Sequence, residues 1–500
     1  MTVSRALPTE ADTRRLGEDI AAVLMRGDLI ALHGDLGAGK TTLARAILRA
    51  LASNPDLEVP SPTFTLVQTY ENGRLPAAHL DLYRVSDPSE LDELGLEDML
   101  ARGVALVEWP EHGALHGPAI RVTLREDGTG RLALIDAPDV VEERISRTLA
   151  ARDFLASAGH ETAIRTPLNG DASTRGYEAI QPDGGEDTLL LMDSPAMPDG
   201  PPVRDGLPYS RVAHLAEDVR PFVAVGRALA ERGFHAPAIH AANFEDGFLL
   251  TEHLGAGSIL NAQGRPIADR YCAVAEMLAA LHDHDWPAEL PVADGLPPHR
   301  VPPFDRRAMM IEVELTLDWA FPRIVGRPAS ENERETYLDA WHGALNAIRD
   351  AEQSLVLRDI QAPNIIWREG TGLARIGLID FQDALIGPAA YDVASLGQDA
   401  RVTIEPSLEA EIKQAYLSAR RTRDPLFETA YAVMAAERAC KVFGLWVRLD
   451  ERDGKPQYLA NAPRTRAYLK RTLEHPALWD VREWFERHAL LDRLPEQLAA

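Results

Sequence analysis

A glycine-rich segment near the N-terminus limits what this chain can fold into more than any other stretch. Residues Gly34 to Thr41, GDLGAGKT, fit the pattern G-x-x-x-x-G-K-[ST]. An apolar run over 28–33 precedes them, and a run with apolar residues at helical spacing, 40–51, follows. The pattern therefore predicts a buried strand, a tight turn and a helix that belong to an α/β domain.

The turn carries residues suited to holding phosphate. Glycines let successive backbone N–H groups converge on phosphate oxygens, and the start of a helix adds partial positive charge. Lys40 would reach the outer phosphates, and Thr41 would be a magnesium ligand. The expected nucleotide-binding residues are Gly34, Asp35, Gly37, Ala38, Gly39, Lys40 and Thr41.

The distribution of lysine singles out the same position. Lysine and arginine total 52, yet only five residues are lysines, and Lys40 is the only one among the first 412 residues. A genome-wide preference for arginine codons explains the scarcity. The codon preference does not explain why Lys40 lies where a compact ammonium would meet phosphate.

Two acidic residues follow predicted strands in this region. Hydrolysis of a nucleoside triphosphate needs carboxylates at strand ends that hold the metal and orient water. Asp81 lies within the last half of the predicted strand 78–83, and Glu108 ends the predicted strand 104–108. Either could also be an ordinary strand-end carboxylate.

Five short motifs over about residues 5–140 resemble the TsaE family. In chain order they are GDLGAGKTT (Gly34–Thr42), SPTF (Ser61–Phe64), HLDLYR (His79–Arg84), ELDELG (Glu90–Gly95) and VEWPE (Val107–Glu111). The resemblance implies an ATPase that supports turnover of a TsaB–TsaD complex, which modifies the adenosine beside the tRNA anticodon. The N-terminal domain is expected over residues 1–138.

The resemblance also assigns residues. It implies nucleotide and metal contacts for Lys40, Thr41 and Thr42, a switch-like segment at Ser61 and Thr63, and acidic metal or catalytic positions at Asp81 and Glu108. Trp109 matches the family's tryptophan next to the nucleotide, with plain packing as its alternative role.

A second set of polar residues lies in the C-terminal half. Asp359 and Asn364 are five apart in a loop after a predicted strand, 354–358, and Asp380 follows sixteen residues later at the end of 375–380. Phosphoryl transfer to a hydroxyl needs a carboxylate facing the acceptor, together with an amide and a carboxylate on magnesium. We expect Asp359 to orient the acceptor or act as base, and Asn364 and Asp380 to bind the metal.

Residues 140–500 resemble the aminoglycoside phosphotransferase and choline kinase-like superfamily and, within it, the N-acetylmuramate/N-acetylglucosamine anomeric kinase AmgK. The motifs are GDASTRGY (Gly170–Tyr177), LLLMDSP (Leu189–Pro195), LAERGFHAPAI (Leu229–Ile239), GFLLTEHLG (Gly247–Gly255), LRDIQAPNIIW (Leu357–Trp367) and IDFQDALIGPAAYDVASL (Ile379–Leu396). The resemblance implies a bilobal protein kinase-like domain, with lobes over 139–255 and 256–500. It also implies ATP-dependent phosphorylation of an amino sugar at its anomeric hydroxyl, for cell-wall recycling.

The nucleotide-binding lobe has an unusual feature. By the resemblance, Gly170, Asp171 and Ser173 would cover the phosphates, and Glu252, in Thr251–His253, lies where backbone groups would meet adenine. No lysine stands between residues 41 and 412, so the strand lysine of kinases is absent. Arg175 or Arg165 could supply the charge, with different geometry.

These features predict an α/β fold: a P-loop NTPase domain followed by a protein kinase-like (aminoglycoside phosphotransferase) domain, using ATP and Mg²⁺. The net charge of -25 argues against a direct grip on nucleic acid. Two distant cysteines and the lack of a long apolar run favour a cytoplasmic protein without disulfides or membrane contact. Two alternatives stay open for the C-terminal half: an aminoglycoside or another hydroxyl or amine compound as acceptor, or a degenerate regulatory lobe.

Overall fold

The computed structural model describes residues 2–85, 94–113, 115, 119–168, 175–182, 184 and 187–492. They form two compact units, Met1–Asp193 with Phe248–Leu250, and Ser194–Gly247 with Thr251–Ala500. These units are defined by which backbone segments pack against one another, and not by activity. The domain limits expected from the sequence therefore stay predictions.

The first unit contains a mixed sheet. Its strands among the described residues are β1 (Thr2–Leu7), β2 (Leu29–His33), β3 (Val67–Tyr70), β4 (Ala77–Asp81), β5 (Val104–Glu108), β6 (Ile120–Asp127) and β7 (Gly130–Asp136). Their order is β1-β7-β6-β2-β5-β4-β3. The central strand β2 is parallel to β5 and β6, and β4 is parallel to β5. The predicted strand before the glycine turn corresponds to β2. The predicted strands 78–83 and 104–108 correspond to β4 and β5.

Helices and loops cover both faces of this sheet. The helices are α1 (Glu10–Val23), α2 (Lys40–Leu51), α3 (Leu96–Arg102) and α4 (Asp139–Ser157). Ile30 and Leu32 of β2 join the core cluster that includes residues of α1 and α2, while Leu29 and Ala31 join the cluster on the other face. This alternation is the period of a strand buried on both sides.

Three further strands belong to the first unit. They are β8 (Ile164–Leu168), β9 (Gly176–Gln181) and β10 (Leu189–Asp193). Both neighbouring pairs are antiparallel, and Phe248–Leu250 lies beside β10. Gly170, Asp171 and Ser173, expected to cover the phosphates, lie outside the described residues.

Short strands in the second unit frame two loops. The strands are β11 (Pro202–Arg204), β12 (Leu207–Pro208), β13 (Ile239–Asn243), β14 (Phe248–Glu252, in part), β15 (Glu289–Leu290), β16 (His299–Arg300), β17 (Gln353–Val356), β18 (Ile365–Trp367), β19 (Ile376–Leu378) and β20 (Leu385–Pro388). β17 pairs with β20, and β18 pairs with β19, both antiparallel. These two pairs bring the loop before Asn364 next to the loop around Asp380.

Helices make up most of the second unit. They are α5 (Tyr209–Val212), α6 (Arg220–Glu231), α7 (Ala268–His282), α8 (Arg306–Leu315), α9 (Phe321–Val325), α10 (Glu331–Asn346), α11 (Ala390–Gly397), α12 (Pro406–Ala419), α13 (Phe427–Glu451), α14 (Ala462–Thr472) and α15 (Trp479–Arg487). The segment from Pro406 to Arg487 is largely helical. None of the described helices has the length and apolarity that crossing a membrane requires.

Candidate active sites

The glycine turn connects β2 to α2 as the sequence predicts. Gly34 has a φ of 137°, and a Cβ there would lie 2.5 Å from the carbonyl oxygen of Leu124. Both the left-handed backbone and this close approach require glycine at the position. Arg131 donates to the carbonyl oxygens of Ala38, at 3.2 Å, and Gly37, at 3.3 Å. This arginine could not be predicted from the motif, because β7 is about ninety residues away in the chain.

Lys40 points back over the turn. Its Nζ donates to the carbonyl oxygens of Gly34, at 2.7 Å, and Asp35, at 3.0 Å. It also lies 3.5 Å from the centre of the Trp109 ring, a cation–π contact. Burial lowers the pKa of Lys40, and the carboxylate of Glu108 opposes that shift. A partly desolvated cation of this kind is suited to meet phosphate oxygens.

Glu108 connects the turn to the interior of the sheet. Its Oε2 accepts a hydrogen bond from Thr41 Oγ1 at 2.9 Å, and its Oε1 lies 2.9 Å from His79 Nε2. His79 is fully buried. It precedes Asp81 by two residues on β4, so both side chains lie on the same face of the strand. That spacing was a signal for His79 which the sequence analysis did not use.

Asp81 lies beside Glu108 because β4 and β5 pair in parallel with these two residues in register. Its Oδ2 accepts hydrogen bonds from Ser61 Oγ, at 2.9 Å, and Thr63 Oγ1, at 2.7 Å. The structure therefore brings together the acidic residues and the SPT segment that the sequence identified. Their roles toward nucleotide and metal stay proposals.

Trp109 has a left-handed backbone, with a φ of 57°. Its ring lies 5.0 Å from that of Tyr83 and 6.0 Å from that of His112, in addition to its contact with Lys40. A non-glycine residue in this conformation is strained, and such strain is concentrated at functional sites. Its predicted role beside a nucleotide stays a prediction.

The second candidate site lies in the second unit and contains the three predicted kinase residues. Asn364 Nδ2 donates to the carbonyl oxygen of Asp359 at 2.9 Å, and it lies 3.3 Å from Asp380 Oδ2. Gln382 Nε2 donates to Asp380 Oδ1 at 2.8 Å. Arg358 and Asp380 both have left-handed backbones, with φ values of 76° and 61°. An amide and a carboxylate therefore converge beside the loop that presents Asp359.

Asp392 holds the loop before Asp359. Its two carboxylate oxygens accept from the backbone N–H groups of Leu357, at 2.7 Å, and Arg358, at 2.9 Å. A buried carboxylate that satisfies two loop amides fixes the loop. These two bonds give Asp392 a structural role in holding the loop.

Buried charges surround this loop on the side of α8 and α13. Arg358 pairs with Glu312, and Lys441 Nζ lies 2.9 Å from Glu312 Oε1. Burial would raise the pKa of Glu312, but Arg358 and Lys441 lower it to about 2. Burial and the neighbouring Glu312 raise the pKa of Glu437 well above its ordinary value. Burial and the neighbouring carboxylate thus both favour the neutral form of Glu437.

Arg438 contacts the predicted catalytic carboxylate from α13. Its Nη2 lies 3.4 Å from Asp359 Oδ1. Arg438 is 5% exposed, so this contact sits at the edge of the helical core. Arg438 could not be predicted from the spacing of the loop residues, because it is 79 residues from Asp359 in the chain.

The remaining predicted residues differ in what the structure says of them. Glu252 accepts from Arg368 at 2.7 Å, and its backbone N–H donates to the carbonyl oxygen of Ala238, so any adenine contact would come from neighbouring backbone groups. Arg175 is described and half-buried. Arg165 does not fit the role of a phosphate-binding cation, because its N–H groups donate to Asp19 and Glu178 in a buried network.

The chemistry of both donor sets fits magnesium and phosphate. Asp81, Glu108 and Thr41 offer oxygen ligands beside the glycine turn, and Asn364 and Asp380 offer an amide and a carboxylate oxygen beside Asp359. Hard oxygen ligands of this kind are what Mg²⁺ prefers, with phosphate oxygens completing its shell.

Comparison with known proteins matches two stretches of the chain to two different families. A family model described as "Threonylcarbamoyl adenosine biosynthesis protein TsaE" matches residues 7–132, and one described as "Phosphotransferase enzyme family" matches residues 164–426. The TsaE protein of Rickettsia bellii is 38% identical over 121 residues, 24% of this chain and 83% of its own. The N-acetylmuramate/N-acetylglucosamine kinase of Caulobacter vibrioides is 33% identical over 364 residues, 68% of this chain and 96% of its own. The chain belongs to both families.

The chain is therefore an enzyme that joins a TsaE-type ATPase domain to a phosphotransferase domain related to AmgK. Both families use ATP. The predicted fold class, a P-loop domain followed by a kinase-like domain, is confirmed. A solved ethanolamine kinase from Plasmodium vivax aligns with 70% of this chain and 92% of its own, with 13% identity and a TM-score of 0.44.

Proposed function

We propose that the phosphotransferase domain transfers the γ-phosphoryl group of ATP to the anomeric hydroxyl of N-acetylmuramate or N-acetylglucosamine. The observation that carries the proposal is the convergence of Asp359, Asn364 and Asp380, with Asn364 Nδ2 3.3 Å from Asp380 Oδ2. The related kinase named for these two sugars supports the choice of acceptor.

Each residue has a role in the proposed reaction. Asp359 accepts a hydrogen bond from the anomeric hydroxyl and receives its proton as the sugar oxygen bonds to phosphorus. The bond between the γ-phosphorus and the β–γ bridging oxygen breaks, and ADP leaves. Asn364 and Asp380 would hold Mg²⁺, which neutralises the phosphate charge when bound. The product, a sugar 1-phosphate, would feed cell-wall recycling.

A cavity of about 390 Å³ favours an anionic or neutral acceptor over a polycationic aminoglycoside. It is lined on one side by Gln382, which hydrogen-bonds to Asp380. Its walls include Arg211, Arg220 and Arg300, together with the carboxylates of Glu217 and Asp218. Arg211 and Arg220 have carboxylate partners, whereas Arg300 has no ion pair within the part of the chain that the structure describes. A carboxylate such as the lactyl group of N-acetylmuramate would complement this wall.

The acceptor can be tested directly on the purified full-length protein. We would incubate it with ATP and Mg²⁺ and either N-acetylmuramate, N-acetylglucosamine or kanamycin, and identify the product by ³¹P and ¹H nuclear magnetic resonance. We expect a sugar phosphorylated at the anomeric oxygen. Activity on kanamycin alone would replace the sugar assignment with the aminoglycoside alternative.

The Asp359→Asn variant tests whether the lobe is catalytic. We expect sugar phosphorylation to fall by about a hundredfold or more, the size expected for losing a general base. Asp350→Asn, at an exposed carboxylate away from the loop, is the matched control and should keep wild-type activity. Equal activity of Asp359→Asn and wild type would refute the assignment.

For the N-terminal domain we propose ATP hydrolysis that supports tRNA threonylcarbamoyladenosine formation by a TsaB–TsaD-type complex in the cytoplasm. The arrangement of Lys40, Thr41 and Glu108 supports the ATPase role, with Asp81 as a further metal ligand. The acidic character of the chain agrees with a partner that holds the tRNA. Reconstitution with TsaB, TsaD and tRNA should give multiple turnovers that depend on this protein and on ATP, and their absence would contradict the proposal.

A further inference from the structure

Helix α4 lies between the ATPase fold and the first strands of the kinase half, within one compact unit. Toward the ATPase fold, Arg144 donates to Asp28 at 3.0 and 3.1 Å, and Arg152 donates to Asp19 at 2.8 Å. Toward the kinase strands, Arg147 donates to Asp193 of β10 at 2.9 Å. The helix is thus tied to both parts by charged hydrogen bonds.

A second set of contacts joins α1 directly to β8. Asp19, on α1 of the ATPase fold, accepts from Arg165 of β8 at 2.8 Å. Arg165 also binds both carboxylate oxygens of Glu178 on β9, at 2.6 and 2.8 Å, and donates to the carbonyl oxygen of Thr148 at 2.9 Å. One carboxylate of the ATPase fold therefore holds the guanidinium that clamps two kinase strands together.

The network is buried and closely balanced in charge. The side chains of Asp19 and Arg165 are 3% and 2% exposed. Two arginines, Arg152 and Arg165, face two carboxylates, Asp19 and Glu178. Burial alone would lower the pKa of Arg165, but Glu178 and Asp19 raise it. Removing one carboxylate would leave a buried cation without its partner. An unpaired buried charge costs far more folding free energy than a core in which neither charge is present.

We propose that Asp19 is a positioning residue for the kinase, so that the ATPase domain is a structural part of the kinase's first sheet. Through Arg165 it sets the placement of β8 and β9, strands of the lobe to which the sequence assigns the nucleotide. The inference rests on the proposed kinase function. It gives the fusion of the two domains a physical consequence: the kinase half depends on a residue outside it.

Full-length variants test the role of Asp19. Asp19→Asn keeps the shape of the side chain and removes its charge. Asp28→Asn is the matched control, because Asp28 binds the same helix through Arg144 and has no contact with β8–β10 among the described hydrogen bonds. We expect Asp19→Asn to raise the kinase KM for ATP by about tenfold while kcat and ATPase turnover change by less than about twofold. Asp28→Asn should leave all of these values unchanged.

A double variant tests whether Asp19 acts through Arg165. Arg165→Met should show a similar KM defect on its own. Because both changes break the same link, the defect of Asp19→Asn with Arg165→Met should be no larger than that of either single variant. Arg165→Met also keeps the test valid if Asp19→Asn fails to fold.

Two results would overturn the inference. The first is a wild-type KM in Asp19→Asn, and the second is an equal defect in Asp28→Asn. If the wild-type protein phosphorylates no sugar, the proposed function is wrong, but the positioning role stays measurable. In that case amide hydrogen exchange of β8 and β9 should be faster in Asp19→Asn than in Asp28→Asn, and equal exchange would refute the role.

Discussion

Lys40 is the cationic side chain at the centre of the proposed ATPase site. It is the only cation among the first 412 residues with a flexible stem and a compact ammonium, and it lies over Trp109 at the base of the glycine turn. Lys40→Ala should lower ATP hydrolysis by about a hundredfold or more, since a preorganised charge at transferring phosphate is lost. Sugar phosphorylation should stay within about twofold of wild type, because Lys40 belongs to the other site.

Colorimetric phosphate release and the sugar phosphorylation assay measure these two effects on the same preparation. Lys413→Ala is the matched control, because Lys413 forms an exposed pair with Glu428 and contacts neither site. Loss of both activities in Lys40→Ala would show that the kinase needs an active ATPase site, which contradicts independent catalysis.

The glycine turn could be predicted from the sequence because all of its residues are contiguous. The same holds for Asp359, Asn364 and Asp380, whose spacing reflects two short strand pairs. Arg131, Arg438 and Asp19 could not be predicted, since each reaches its site from an element far away in the chain. Arg165 is the opposite case. Its charge suggested phosphate binding, but the fold shows that its guanidinium is bound by Asp19 and Glu178.

The coupled carboxyls Glu312 and Glu437 make stability depend on pH in opposite directions. Glu437 has a raised pKa, so keeping it neutral above its ordinary value of 4.5 has a free-energy cost that grows with pH. Glu437→Gln removes that cost. Its Tm should exceed that of wild type at pH 8, and the difference should shrink as the pH falls toward about 4.5.

Glu312→Gln is the opposing control for this pair. The pKa of Glu312 is lowered to about 2, so its carboxylate stabilises the fold above 4.5, and that contribution is lost as the pH falls toward about 2. Glu312→Gln should therefore lower Tm at pH 8, with a smaller effect in acid. Differential scanning fluorimetry at several pH values measures both variants. Shifts of the same sign at pH 8 would contradict the charge assignment.

Among the helices, α13 depends most visibly on a single small residue. A Cβ on Gly444 would lie 2.2 Å from the backbone carbon and oxygen of Leu315, at the end of α8. Backbone atoms cannot move aside as a flexible side chain can, so Gly444→Ala should destabilise the second unit by about 1–3 kcal/mol. Because α13 carries Arg438, this contact also sets the approach of that arginine to Asp359.

Gly343 on α10 offers a matched comparison for Gly444. The nearest atom to a Cβ there is Asp480 Oδ2 at 3.9 Å, so Gly343→Ala should stabilise the helix by about 0.5–1 kcal/mol through propensity alone. Urea denaturation followed by circular dichroism measures both variants. Equal stability of the two alanine variants would show that α13 and α8 can separate without cost.

The elements that the sequence predicted best are those with clear periodicity and ends. The predicted helix 40–51 matches α2 at both ends. The sequence analysis missed α1, although Thr9 and Asp12 form a capping box at its start, and apolar residues recur along it. That omission had a consequence, since α1 carries Asp19 and thereby the link between the two parts of the first unit.

At the scale of the whole molecule, the buried Asp19 network makes the ATPase fold and the first kinase strands resist unfolding together. A ligand that binds only the folded ATPase site should then protect both, because ligand binding stabilises every part that unfolds with its site. We expect a non-hydrolysable ATP analogue with Mg²⁺ to slow amide exchange in α1 and also in β8 and β9, by similar factors.

Hydrogen exchange with mass spectrometry can separate this effect from nucleotide bound to the kinase half. In Lys40→Ala the ATPase site is impaired while the kinase site is intact. The analogue should therefore no longer protect α1. The part of the protection of β8 and β9 that comes from the ATPase site should disappear as well. In Asp19→Asn, α1 should still be protected, but β8 and β9 should lose that same part, because the link between them is broken. Protection of β8 and β9 that is identical in wild type and Asp19→Asn would mean that the two parts open independently, and that the fusion joins the domains without coupling their stability.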